Sequence, residues 1–275
     1  MRHFGLKVRM AVAGTILFAF YMVIATIAWS MTGSIALVAV LSLLLVAGQY
    51  KLGKWLAVRS VGAEDLPEDR FADIHRTTER LSEDMGIPKP RLMYAQMGSP
   101  NAFAVGRKGS GTVVISTELM QLLDDDELEG VIAHELAHIM NRDVVTMVLG
   151  QSVAMLIGWG VYFMVRQVAD GIFGWILAWI ASVIANMLVM IFVLVISRVR
   201  EYAADEDAAY YTGNPEALAS ALAKLGHVNQ QIEETNIDDS VSAMCIFGVQ
   251  KGLFASLFAT HPPIEKRINR LRQRN

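Results

Sequence analysis

Cysteine is almost missing from this chain of 275 residues: Cys245 stands alone, so no intramolecular disulfide can form and a thiolate-based zinc site is excluded. Its neighbours Ala243, Met244, Ile246 and Phe247 are apolar and offer nothing to lower a thiol pKa, so it reads as a buried, inert thiol rather than a nucleophile. Charge is scarce as well. Only 19% of the residues are charged against 53% hydrophobic, with a net charge of −3. That balance is too apolar for an ordinary soluble domain of this length, and it gives no reason to expect nucleic acid as a partner. Linkers rich in Pro, Gly or Ser are lacking, and no internal repeat or low-complexity stretch is evident.

The missing charge is concentrated in a few places. Residues 10–50 carry none, and Met31-Thr32-Gly33-Ser34 is the only turn-like interruption, which fits two membrane spans of about 20 residues each. Two more uncharged runs, 144–165 and 171–197, are divided by Arg166, Gln167 and Asp170. Each is long enough to cross a bilayer. A hydrophobic hairpin buried in a soluble core is the alternative, but the rest of the chain is too small to cover four such helices. Arg2, Lys7 and Arg9 precede the first span and Lys51, Lys54 and Arg59 follow the second, while the turns between spans carry no basic residue or only Arg166. Basic residues stay on the cytoplasmic side, so both termini and the polar segments are predicted cytoplasmic. The first run has no small-residue cleavage pattern before the next span, unlike a signal peptide. The expected organisation is a transmembrane hairpin at 10–50, a polar segment at 51–143, a second hairpin at 144–197 and a polar segment at 198–275. The two polar segments read as halves of one domain.

In the first half, Pro67-Glu68-Asp69 and the spacing of Phe71, Ile74, Leu81 and Met85 predict a helix stopped by Gly86 and Pro88. Three short β-prone runs follow, starting at Arg91, Ala102 and Thr112, with residues 107–111 as a hairpin loop, and predict a small antiparallel sheet. Asp124, Asp125 and Asp126 supply a cap and N-terminal negative charge for a helix whose apolar stripe is Leu128, Ile132, Leu136 and Ile139. Further on, Asn214-Pro215-Glu216 opens another helix, and Pro262-Pro263 opens a basic terminal one with Ile264, Ile268 and Leu271 on one face.

The stripe-bearing helix also contains His134-Glu135-Leu136-Ala137-His138. Residues four apart share a helical face, so both imidazoles can aim at one cation, while Glu135 can act as base towards a water there. The pattern alone is a modest signal, and two structural histidines are the plain alternative. A catalytic zinc takes three protein ligands and leaves a position open. No further histidine follows His138 closely, but Glu201 and Asp205 lie one turn apart beyond the second hairpin. Glu201 as ligand, with Asp205 accepting from a histidine N–H, would complete a two-His, one-Glu site; surface acids in a charged patch are the alternative. Topology favours the former. His138 falls about 9 Å before the third span and Glu201 about 6 Å after the fourth, at helical rise, and a hairpin returns the chain to the same side.

Four ordered motifs then carry a resemblance: Ser99-Pro100-Asn101-Ala102-Phe103-Ala104; His134 to His138 with Asn141-Arg142-Asp143; Ser197-Arg198-Val199-Arg200-Glu201-Tyr202-Ala203-Ala204-Asp205; and Thr260-His261-Pro262-Pro263. Together they resemble the HtpX family of membrane-bound zinc metalloproteases. The resemblance implies an α+β integral membrane protein, mainly helical, with four transmembrane helices and a gluzincin-type protease domain. It implies one Zn2+ held by His134, His138 and Glu201, with Glu135 as the base. Polypeptide substrates are implied too, namely misfolded or damaged membrane proteins cut at the cytoplasmic face of the prokaryotic inner membrane. The CAAX prenyl proteases are wider relatives with longer chains.

Amide hydrolysis also needs a partner for the developing oxyanion. His261, Tyr202 and Arg198 qualify, and His261 is preferred because Pro262-Pro263 would stiffen its loop. His3, His75 and His227 lack a motif and are expected at the surface. An extended substrate could add a strand to the sheet edge, expected at residues 112–116 with Val113 and Val114 at its centre, and Asn101 could hold the substrate backbone through its amide. The rival readings are a non-catalytic zinc-binding membrane adaptor and a hydrolase acting on lipid or prenylated peptide.

Overall fold

A computed structural model describes Ser30 and residues 33–234 and 262–273. The chain divides into two compact units, Met1–Gly53 with Val148–Val193, and Lys54–Met147 with Leu194–Asn275. In chain order the helices are α1 (Ile35–Ser60), α2 (Ala72–Asp84), α3 (Thr117–Leu122), α4 (Asp125–Met140), α5 (Asp143–Val168), α6 (Gly171–Thr212), α7 (Pro215–Glu234) and α8 (Ile264–Arg272), and the strands are β1 (Glu64–Asp65), β2 (Arg91–Ala95), β3 (Ala102–Val105) and β4 (Thr112–Ser116).

The first unit is built on apolar helix. Among the described residues two helices, α5 and α6, are long and apolar enough to cross a membrane, and only 11% and 17% of their most apolar windows is buried. That exposure separates them from the core helices of a soluble protein, which hide most of such a surface. Leu149, Leu156, Met164, Ile172, Phe173 and Phe192 are all exposed. Two serine hydroxyls in this unit are satisfied along the helix itself: Ser152 Oγ donates to the Val148 carbonyl and Ser182 Oγ to that of Trp179, each at 2.8 Å, as an apolar solvent favours. The first predicted span lies outside the described residues. The helix of the second, α1, runs on past Tyr50 to Ser60 because no proline intervenes before the turn at Gly62.

In the second unit the sheet order is β1-β2-β4-β3. β1 pairs with β2 and β3 with β4 antiparallel, but β2 and β4 run parallel, with Met93 opposite Val114. The sheet is therefore mixed, which corrects the expectation of a purely antiparallel one. The connection from β2 carries the chain past its neighbour's place, and β3 then folds back onto β4 as the hairpin predicted at residues 107–111. β4 also lies inside the sheet, so residues 112–116 offer no free edge; the edge strand on that side is β3. Side-chain alternation covers both faces. Leu92, Ala102, Val113 and Ile115 join a core with Leu81, Leu128, Ile132, Leu136, Ile139, Leu218, Leu222 and Leu271, whereas Met93, Ala95 and Val114 pack with Val58, Val61 and Phe103.

Helix α4 is fixed at its start and along its length. Asp124 accepts from the Glu127 N–H at 3.0 Å while Glu127 accepts from that of Asp124 at 3.1 Å, a reciprocal cap. The buried Glu127 carboxylate also accepts from Ser220 Oγ of α7 at 2.6 Å. Gly130 lets the two helices approach closely: a Cβ there would stand 3.2 Å from Leu218 Cα and N.

Candidate metal centre

Helix α4 buries its predicted stripe and brings His134 and His138 to its facing side, their rings edge-on with centroids 4.7 Å apart. The two Nε2 atoms lie 3.1 Å apart. On α6, which is unbroken from Gly171 to Thr212, Glu201 and Asp205 fall one turn apart and are both buried. Glu201 Oε2 stands 3.7 Å from His134 Nε2 and its Oε1 3.5 Å from His138 Nε2. Among the described residues these three side chains form a group able to hold a metal ion. A tetrahedral ion with bonds near 2.0–2.1 Å spaces its ligand atoms by about 3.3 Å, so the donor set fits a small divalent cation in both type and separation.

The far nitrogen of each ring faces a carboxylate. His134 Nδ1 lies 3.1 Å from Asp205 Oδ1, and His138 Nδ1 lies 2.6 Å from Asp143 Oδ2. A carboxylate at Nδ1 leaves Nε2 as the metal-facing atom. Burial disfavours a charged His134, yet the carboxylates of Asp205 and Glu201 outweigh it and raise the pKa of the metal-free imidazole to about 9. Burial also pushes the Asp205 carboxyl up, but the Arg267 guanidinium and His134 more than reverse this and hold it below the usual range.

Arg267 is a member of the centre that motif and spacing did not point to. Fully buried on α8, it donates from Nε and Nη2 to Asp205 at 2.8 and 2.6 Å, and its Nη1 lies 3.2 Å from Glu201 Oε2. A signal for it does exist, since Arg267 sits three residues after Ile264, inside the apolar stripe completed by Ile268 and Leu271. A charge at such a position must find a buried partner. Asp143 belongs to the second motif, where the sequence gives it no role; its mark is a lone acid at the head of an uncharged run.

Other predicted residues fall less centrally. Glu135 is buried beside His134 and lines, with Leu119, Val131, Leu222 and Arg267, a small apolar cavity. Asn101 is buried, its N–H donating to Ser116 Oγ at 2.9 Å and its carbonyl accepting from the Ser116 N–H at 2.8 Å. Val113 and Val114 lie inside the sheet, fully buried. Tyr202 lies under the Arg270 guanidinium, 4.4 Å from its ring centroid. His261 and His3 are outside the described residues. His227 is exposed as expected, whereas His75 is half-buried with Nε2 3.0 Å from the Leu66 carbonyl.

Two imidazoles and a carboxylate converging beside a buried glutamate, in a chain that also carries long exposed apolar helices, define a metallopeptidase of the membrane-bound kind. Comparison with known proteins agrees. The profile of peptidase family M48 matches residues 68–275, and the protease HtpX homolog of Halobacterium salinarum is 48% identical over an alignment covering 96% of this chain and all of that protein. The HtpX homolog of Bifidobacterium longum is 36% identical, covering 94% and 90%. Among solved structures, Ste24p of S. mikatae superposes with a TM-score of 0.60 over 97% of this chain and 64% of that one, at 17% identity, a likeness of fold. The chain belongs to peptidase family M48, among its HtpX proteases. It is a membrane metalloprotease, and its substrates are polypeptides.

Proposed function

We propose that the chain is a zinc-dependent endopeptidase of the prokaryotic inner membrane that removes misfolded or damaged membrane proteins by cutting them at the cytoplasmic face. The observation that carries the chemistry is the convergence of His134 Nε2, His138 Nε2 and the Glu201 carboxylate within ligand spacing, with Glu135 next to the first ligand. His134, His138 and Glu201 would hold the ion, and Zn2+ suits two imidazoles and one carboxylate in a site without sulfur. When bound, the ion supplies a Lewis acid for the scissile carbonyl and for the attacking water. Glu135 takes the proton of that water and returns it to the leaving nitrogen. Asp205 holds His134 through Nδ1, and Arg267 keeps that carboxylate ionised.

His261 is assigned the oxyanion on sequence grounds, with Asn101 assigned to the substrate backbone. Because β4 is interior, an added substrate strand would pair with β3 rather than with Val113 and Val114. Such pairing reads main chain rather than side-chain identity, which suits an enzyme that must accept many damaged sequences. The proposed organisation keeps hairpins at 10–50 and 144–197 and the protease domain in two parts, 51–143 and 198–275. The basic residues flanking the spans support a cytoplasmic position for both termini and the site.

The purified protein loaded with zinc should nick an unfolded membrane protein. Glu135→Gln should keep its zinc and lose cleavage by a factor of at least about 10²; undiminished cleavage by that variant would overturn the assignment of the base.

A further inference from the structure

We infer that Asp143 and Arg200 form a positioning clasp that sets His138 and Glu201 in register with each other, an inference that rests on reading His134, His138 and Glu201 as the metal ligands. The clasp begins with a break in the chain. Helix α4 ends at Met140 and α5 starts at Asp143, and between them Arg142 takes φ +57°, the only positive φ at a non-glycine residue among the described residues. A long side chain in the left-handed region is strained and persists where the surroundings over-determine it. Its geometric effect is to turn Asp143 back towards the last turn of α4. There Asp143 Oδ2 receives the Nδ1–H of His138 at 2.6 Å. With the proton held on Nδ1, the lone pair sits on Nε2, the atom that faces His134 at 3.1 Å and Glu201 at 3.5 Å.

The other half of the clasp comes from α6. Arg200 donates from Nη1 to the main-chain carbonyl of Asp143 at 2.8 Å and from Nη2 to Asp143 Oδ1. Arg200 immediately precedes Glu201, so the same bonds that hold Asp143 fix the height of α6 where the third ligand leaves it. Both side chains are largely withdrawn from water, 15% and 11% exposed, so the pair is more than a screened surface contact. An acid serving only the N-terminus of α5 would explain none of the bonds on its far side. The arrangement is also repeated: His134 leans on Asp205, which is held by Arg267, as His138 leans on Asp143, which is held by Arg200. Each imidazole thus has its own carboxylate and each carboxylate its own guanidinium.

Equilibrium zinc affinity of the full-length protein in detergent, read by competition with a chromophoric chelator, tests this directly. Asp143→Ala should weaken zinc binding roughly 10–100-fold, and Arg200→Ala should weaken it in the same direction. Since the two residues act as one device, the double variant should bind no worse than the weaker single variant, and Arg200→Lys should recover part of the loss. If Asp143→Ala does not fold, Asp143→Asn, which keeps the size and loses the charge, carries the same expectation. Affinities within about twofold of the wild type in folded Asp143 variants, or losses that simply add in the double variant, overturn the clasp. Glu201→Gln runs alongside: if it binds zinc as well as the wild type, the ligand assignment fails and the clasp falls with it. If it loses zinc while the Asp143 variants do not, the clasp alone fails.

Discussion

At the scale of single residues, the metal-free centre is a proton store. His134 holds a proton with a pKa of about 9, against an ordinary 6.5, and a metal ion must expel that proton to bind. Zinc affinity should therefore climb with pH, by up to about tenfold per unit between pH 7 and 8.5 from this group alone, measured by chelator competition in buffers of fixed pH. An affinity flat over that range would contradict the raised pKa. Stability of the metal-free protein should move the opposite way. Because the folded pKa lies above the unfolded one, the stabilisation is complete below about pH 6.5 and is lost as pH rises through about 9. Arg267 belongs to the same charge set. Arg267→Met removes the cation that compensates Asp205 and Glu201 while keeping much of the volume, and unpairing buried carboxylates costs about 3–5 kcal/mol. Thermal melting should show a large drop for the metal-free variant and a smaller one after zinc is added, since the ion neutralises Glu201. Equal drops in both states would mean that Arg267 acts through packing alone.

At the scale of elements, α4 is where sequence and structure agree most closely, because its signals are local. Asp124 caps it, Leu128, Ile132, Leu136 and Ile139 are buried, and the histidines face one way, all of which follow from a 3.6-residue period and a capping residue. The hairpin of β3 and β4 was legible for the same reason, since Gly109 and Gly111 mark its loop. The parallel pairing of β2 with β4 was not, because strand order is decided by contacts distant in sequence and each short apolar run fits either direction. The close approach of α4 and α7 was equally hidden: Gly130 in a helix reads as a weakness until Leu218 is seen against it. Gly130→Ala should accordingly lose stability, by about 1–3 kcal/mol from overpacking, instead of gaining the roughly 0.5–1 kcal/mol that the exchange gives in a free helix. A higher melting temperature for this variant would show that the helices can part without penalty.

At the scale of the whole molecule, charge segregation is legible in the amino-acid order alone because few arrangements accommodate it. Uncharged runs longer than a soluble helix needs, with side chains that remain exposed in α5 and α6, require an apolar solvent. The flanking charges add a direction. Arg166 is the one basic residue near the turn between α5 and α6, against Lys51, Lys54 and Arg59 at the end of the second predicted span, so that turn is expected on the non-cytoplasmic side. The single cysteine makes the test clean. In a Cys245→Ser background, Val168→Cys, at a position 85% exposed next to the turn, should react with a membrane-impermeant maleimide added to intact cells whose outer barrier has been opened. Arg76→Cys, on the polar face of α2 and 76% exposed, should react only after the membrane that holds the protein is permeabilised. Labelling of both positions in intact cells would place the protease domain outside. Labelling of neither would mean that α5 and α6 enter the bilayer and return without crossing, which would leave the site cytoplasmic but deprive the second hairpin of its span.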